Sequence, residues 1–155
     1  MSLLTDSAAS EHNLYAALRA QFPADLDSVA IEAAAAHGSD GPTFYTWADL
    51  ERGSAMMANL LASLGLPEGA RVAMQAEKSV EALMLYLAVL RAGLVFVPLN
   101  TAYQLDEMRY FIGDAKPSVV VCGHDHFGWV SKAAFSAGVA HVFTLNDDRT
   151  GSLLE

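Results

Sequence analysis

The stretch RVAMQAEKSVEALMLYLAVLRAGLVFVPLNTAY, Arg71 to Tyr103, reads as strand, helix, strand. Val72, Ala73 and Met74 form a short apolar run directly after the turn signal Pro67-Glu68-Gly69. Ser79 can cap the helix that follows, with Glu81 in its first turn, where a negative charge suits the helix dipole. Leu83, Met84, Leu87 and Leu90 recur at helical spacing, and Leu85, Tyr86 and Val89 lie off that stripe. A helix apolar nearly all round is a buried helix. Gly93 is placed to end it in the left-handed conformation, and Leu94 to Pro98 form a continuous β-type run. Two apolar strands joined by such a helix predict a parallel βαβ unit with a right-handed crossover.

Outward from that unit the alternation continues. Asn13 is an N-cap for a short helix with Leu14, Leu18 and Phe22 on one face, ended by Pro23. Ser28 to Ala33 and Thr43 to Tyr45 read as the strands of a hairpin, joined by a turn through His37, Gly38, Ser39, Asp40 and Gly41 to Pro42. Thr46 with Asp49 makes a capping box for a helix carrying Leu50, Met57, Leu61 and Leu64, closed by Gly65. Gly53 weakens that helix by about 1 kcal/mol relative to alanine, which suits a close approach of a neighbour. Past Asn100, a helix from Leu105 to Asp114 offers Leu105, Met108, Phe111 and Ile112, and Lys116-Pro117 stops it. Ser118 to Cys122 is a buried strand by pattern. A helix from about Phe127 to Ala137 and a strand from His141 to Leu145 complete the series. The fold class is α/β: a doubly wound, mostly parallel sheet with helices on both faces, plus an antiparallel hairpin. Residues 1–12 are expected to fray, and 13–155 to form one α/β subdomain. Ser152 to Glu155 has the pattern of a helix start, so the subdomain is expected to be incomplete at its C-terminus.

Composition limits the function. With 53% hydrophobic and 17% charged residues, the 155-residue chain is not disordered by composition and has material for a sizeable core. A net charge of −9 argues against nucleic acid and anionic membrane surfaces as partners. No apolar run reaches transmembrane length, and MSLLTDSAAS lacks the basic start and apolar centre of a signal peptide. One cysteine, Cys122, excludes an internal disulfide and fits a reducing cytoplasm.

No catalytic constellation emerges from the residues. The glycines fit neither Walker A nor dinucleotide spacing, and no Gly-x-Ser-x-Gly elbow is present. His124-Asp125-His126 has the flavour of a metal site, since residues i and i+2 of an extended segment face one way; a loop in which Asp125 caps the next helix is the reading preferred. Cys122 reads as a small core residue and not as a nucleophile. The pair Met56-Met57 and the rings of Trp47 and Trp129 read as core or interface filler. The weak ligand candidates are Lys78 and Ser79, at a helix N-terminus after a strand, and Asn100, Thr101 and Tyr103, in the loop after the next strand. Helix capping by Ser79 and turn formation by Pro98 and Asn100 explain these residues at least as well.

The segment QAEKSVEALMLYLAVLRAGLVFVPLNTAYQLDEMRYFIGDAKPSVVVC, residues 75–122, resembles the N-terminal part of the AMP-forming acyl-CoA synthetases of the adenylate-forming ligase superfamily. FYTWADL, residues 44–50, is similar to that family's Thr-Tyr-x-Glu-Leu helix start. LGLPEGARV, residues 64–72, is similar to its Gly-Asp-Arg-Val turn, with Ala70 where the family has Asp. Arg91-Ala92-Gly93 and Val97 to Tyr103 match its crossover and loop, and the malonyl-CoA synthetases are the branch nearest in pattern. The resemblance implies a parent that uses ATP, Mg²⁺ and coenzyme A to convert a small carboxylic acid into its thioester through an acyl-adenylate. It also implies that the Ser/Thr/Gly-rich phosphate loop, the nucleotide motifs and the C-terminal lysine lie further along the chain than residue 155. The expected partners are then an ATP-binding half and a C-terminal domain of the same ligase, with self-association through exposed apolar surface. No cofactor is expected on the 155 residues alone. Two alternatives stand beside it: a stand-alone, non-catalytic binding or regulatory module, and a ligase for a fatty acid or another carboxylate.

Overall fold

The computed structural model describes residues 13–34 and 41–155. The chain runs α1 (Leu14–Arg19), β1 (Val29–Ala33), β2 (Thr43–Thr46), α2 (Trp47–Ser63), β3 (Arg71–Gln75), α3 (Val80–Arg91), β4 (Val95–Pro98), α4 (Leu105–Ala115), β5 (Val119–Cys122), α5 (His124–Ser136) and β6 (His141–Thr144). Strands β3 to β6 form a four-stranded sheet in the order β4-β3-β5-β6, and β1 and β2 form a separate two-stranded sheet. Every pairing in the larger sheet is parallel, with Val72 opposite Phe96 on one side and Val119 on the other. The expected βαβ unit is therefore β3-α3-β4. The hairpin is antiparallel, with a register shift between Val29 and Ile31, and it does not join the parallel sheet. The turn expected at 37–40 lies outside the described residues.

Strand alternation divides the core into two layers. Val72, Val119 and Val121 face α2 and α3, in a cluster with Leu61, Leu85 and Val89. Ala73, Val120 and Cys122 face α4 and α5, in a cluster with Met108, Ile112, Val130 and Ala134. Side chains on a strand alternate between faces, so one pleated ribbon serves both layers. Helix α3 is covered on several sides: Val80, Ala82, Met84, Leu85, Leu87, Ala88 and Val89 are all buried. Gly53 of α2 is where that helix meets α3, because a Cβ there would lie 2.3 Å from Met84 Sδ. The glycine expected to permit a close approach does so.

The caps explain the boundaries. Ser79 Oγ accepts from Ala82 N at 3.1 Å, and Gly93 at φ 69° follows the C-cap Ala92. Lys116 adopts φ 45° at the end of α4, directly before Pro117. Asn13 caps α1 by accepting from Tyr15 N and donates its Nδ2 to Leu90 O at 2.9 Å.

Three expectations are corrected. The buried residue of α1 is Tyr15, while Leu14 and Leu18 are 49% and 38% exposed, because Asn13 and Tyr15 tie the helix to α3 by polar contacts: Arg91 Nη1 donates to Tyr15 Oη at 2.6 Å and lies over its ring. Leu83, on the apolar stripe of the helix expected to be buried, is 38% exposed. Residues 152–155 start no helix: Ser152 instead bonds back to β6, its N donating to Thr144 Oγ1 at 2.9 Å and its Oγ accepting from Thr144 N at 3.0 Å. A serine drawn into a strand-end contact is lost to helix capping.

The capping box of α2 yields a pH signature. Asp49 Oδ2 accepts from Thr46 N at 2.8 Å and Thr46 Oγ1 at 2.7 Å, and its Oδ1 from Arg52 Nη2 at 2.8 Å. The backbone hydrogen bond from Thr46, then its hydroxyl and Arg52, pull the carboxyl down to about 2. A carboxyl lowered on folding stabilises the fold above its usual pKa near 4, and that stabilisation is lost as the pH falls towards 2. In urea titrations, Asp49→Asn is expected to be about 1 kcal/mol less stable than the native chain at pH 6, with the difference closing between pH 4 and 2. A difference that persists unchanged at pH 2 would refute the assignment.

Candidate functional site

The sheet order defines where a site can form. The connection from β3 to β4 runs one way across the sheet behind α3, whereas those from β4 to β5 and from β5 to β6 run the other way behind α4 and α5. The loops leaving β3 and β5 therefore part to opposite faces beyond the carboxyl ends of two adjacent strands, the place where open α/β sheets hold ligands. A cleft of about 580 Å³ lies there, lined by Gln75, Ala76 and Glu77 after β3, Thr101 after β4, Gly123 to His126 at the start of α5, and residues 145–148 and 150 after β6.

Gln75 is the centre of this edge. It is 1% exposed, and its Nε2 donates to Asn100 O at 3.1 Å and Tyr103 O at 2.8 Å. Its Oε1 is buried with no hydrogen-bond partner. The glutamine thus ties the loop after β4 to the end of β3, assisted by Leu99 N donating to Met74 O at 2.8 Å. Asn100 Oδ1 accepts from Ala102 N at 2.9 Å, tightening the same turn, and the Tyr103 ring stacks on Phe111 at 4.9 Å. On the other side, Asn146 Oδ1 accepts from His124 N at 2.8 Å, satisfying one of the free amides at the N-terminus of α5.

The five candidate residues separate in this geometry. Thr101 lines the cleft; Asn100 and Tyr103 are engaged in shaping the loop that carries it. Ser79 caps α3, and neither it nor Lys78 lines the cleft. The His124-Asp125-His126 expectation is corrected: α5 begins at His124 with Gly123 as its N-cap, so the triplet is the first helical turn and Asp125 is not the cap. Residues i and i+2 of a helix point about 200° apart. Among the described residues no group of three His, Cys, Asp or Glu side chains is placed to hold a metal ion. Cys122 is fully buried, and burial pushes its thiol up to about 12, which removes the thiolate a nucleophile needs.

Two residues carry no signal of their role in the sequence. Gln75 ends an apolar strand and is recognisable only once the strands on either side are placed. Glu81 reads only as a charge in a first helical turn, yet it is 6% exposed, accepting from Tyr45 Oη at 2.9 Å and Arg149 Nε at 3.0 Å. Burial first, and then the hydrogen bond to Glu81, push the Tyr45 hydroxyl up to about 12.

The cleft's charge bears on what it can hold. Glu77, Asp125, Asp147 and Asp148 line it with His124 and His126, and no lysine or arginine does. Such a lining repels a bare triphosphate, so these residues do not fit ATP, and no step through ATP can be assigned to them.

Comparison with known proteins defines the class. Residues 20–151 match the AMP-binding enzyme family, and the chain belongs to it. It is 45% identical to MatB from Rhodopseudomonas palustris, whose apo crystal structure it matches with a TM-score of 0.81 over 91% of this chain and 26% of that one. The ATP-bound MatB structure matches equally well. Tyrocidine synthase 3 of Brevibacillus parabrevis is 31% identical over 81 residues, 52% of this chain and 1% of that protein. The 4-hydroxybenzoate–CoA/benzoate–CoA ligase of Rhodopseudomonas palustris is 29% identical over 100 residues, 64% of this chain and 18% of that protein. The chain spans about a quarter of MatB and less of these two relatives. Its fold is that of the N-terminal part of an adenylate-forming ligase.

Gln75 supplies a test of how this edge is held. Gln75→Glu would set a carboxylate against two carbonyl oxygens and is expected to cost about 2–4 kcal/mol, whereas Gln75→Leu should cost about 1–2 kcal/mol. Equal unfolding free energies for the two variants in urea would show that the amide does not hold the loop.

Proposed function

We propose that this chain is the N-terminal subdomain of an ATP-dependent, AMP-forming acid–thiol ligase that activates malonate. The observation that carries this reading is the 45% identity to MatB across 91% of the chain at a TM-score of 0.81. In the parent, ATP and the carboxylate give an acyl-adenylate and pyrophosphate, and coenzyme A displaces AMP to give the thioester. Mg²⁺ would offset phosphate charge in the first step.

The role of these 155 residues in that reaction is support. The cleft offers no cationic or glycine-rich cradle for a triphosphate, which supports the reading that the chain alone is inactive and has the ATP-binding half and C-terminal domain as its partners. The loop bearing Asn100, Thr101 and Tyr103, together with Lys78 and Ser79 at the start of α3, is the part offered to the shared site. Phe44, Met56 and Tyr110, all well exposed, give apolar surface for that packing or for self-association. A cytoplasmic setting suits the single thiol, and no helix among the described residues is long and apolar enough to cross a membrane. The similarity to a benzoate–CoA ligase favours a second reading, a different carboxylate as substrate.

The test is thioester formation from ATP and coenzyme A with malonate, benzoate and a fatty acid in parallel. It is run on the product of the complete open reading frame and on the 155-residue chain. Malonate turnover at least about tenfold above the others, by the longer product alone, is expected. Turnover by the 155 residues themselves would overturn the supporting role, and preference for benzoate or a fatty acid would overturn malonate. A reading frame that ends at Glu155, with no activity, would favour the stand-alone module.

A further inference from the structure

The segment after β6 is tied down at both ends and crosses between two cavities. Its base is fixed by Thr144 and Ser152 and by Leu153, which is 4% exposed and donates its N–H to Thr144 O at 3.1 Å. Gly151 permits this return: its φ is 131°, and a Cβ there would lie 2.3 Å from Thr144 O. Between these anchors the loop closes on itself, Asn146 N donating to Thr150 O at 2.9 Å, Asn146 Nδ2 to Thr150 Oγ1 at 2.9 Å and Thr150 N to Asp148 Oδ1 at 3.0 Å.

The two faces of this closed loop do different things. Asn146, Asp147, Asp148 and Thr150 form a wall of the switch-point cleft, and Asn146 holds the first amide of α5. Arg149 points the other way, into a groove shared by β2, α2 and α3, where its guanidinium lies over the Tyr45 ring at 5.4 Å and its Nε meets Glu81. Arg149 does so from φ 66°, a left-handed conformation that a non-glycine residue holds only when its surroundings impose it. Glu81 is the partner it meets there: a carboxylate 6% exposed, with a tyrosine hydroxyl and this arginine as its donors.

We propose that residues 146–150 are a movable wall of the switch-point cleft, latched by Arg149 on the buried Glu81, so that the latch sets the width of the cleft. The Arg149 side chain is 60% exposed, so the latch can be reached from solvent. The inference stands on these contacts alone and is independent of which acid the parent activates.

Amide exchange followed by NMR on the full chain tests it with Arg149→Ala and Arg149→Gly, the glycine variant removing the side chain while suiting the backbone. Both variants are expected to speed exchange at His124 and Asn146 by roughly tenfold, with Val120 and Val121 unchanged. A spin-label pair at Thr101→Cys and Asp147→Cys, on opposite walls of the cleft, should shift to longer and broader distances in both. Three results would overturn the proposal: unchanged exchange at His124 in either variant, a uniform rise that includes Val120 and Val121, or faster exchange with an unaltered spin-label distance.

Discussion

The need to cover α3 sets the arrangement of everything around it. A helix with Val80, Ala82, Leu85, Leu87 and Val89 buried around most of its circumference gives only a strip at Leu83 to water. The sheet covers one side through Val72, Val119 and Val121, and α2 covers another, brought close because Gly53 offers no side chain to Met84. The remaining exposure near its C-terminal end is met by α1, through Asn13 on Leu90 O and Tyr15 on Arg91. With that side of the sheet occupied, α4 and α5 pack on the other, and right-handed crossovers fix the strand order β4-β3-β5-β6. The cleft is a by-product of that order.

One polar residue of α3 departs from the rule and is the more informative for it. Glu81 sits in the first turn, where the helix dipole favours a carboxylate, but it is also buried. An unpaired buried carboxylate would change its ionisation or unfold its surroundings, so the partners must come to it. Tyr45 comes from the hairpin and Arg149 from the segment after β6. These two segments are far apart in the chain, and the hairpin shares no strand pairing with the main sheet. A single charge thus joins the hairpin, α3 and the last loop.

Legibility in the sequence followed the range of the interactions. Elements whose limits depend on neighbours within four residues were readable: Ser79 and Thr46 cap as their spacing implies, Gly93 turns left-handed, and Pro117 ends α4. The alternating strands and the family resemblance were readable for the same local reason, being carried by continuous stretches. Contacts across the fold were not. Ser152 begins a four-residue capping pattern, but Thr144, eight residues earlier, takes its hydroxyl first. Asp125 had the composition of a cap, yet Asn146 reaches the α5 N-terminus from 22 residues away and the helix starts about one turn sooner. Leu14 and Leu18 form an apolar stripe, but Tyr15 is drawn inward by Arg91, 76 residues on. Of the ligand candidates only Thr101 was placed in the cleft, and Gln75, which organises it, carried no local mark.

The polar side chains that hold this molecule to a fixed geometry are concentrated at the carboxyl edge of the sheet. Gln75 commits its amide hydrogens to two loop carbonyls, Asn100 its oxygen to its own turn, Asn146 to a helix end, and Thr144 and Ser152 to each other. Each occupies a group that could have met a ligand in order to set a backbone in place. At the opposite edge the turns are made with Gly65, Gly69 and Gly138 in left-handed conformations, which need no side chain at all. Groups that do chemistry must be left free to meet a substrate, whereas positioning groups must be bonded within the protein. On this edge nearly all are bonded, and the thiol of Cys122 is sealed in the core. The cleft's open groups are two imidazoles and carboxylates, and the carboxylates would repel a nucleotide's phosphates. An edge so arranged holds its loops still.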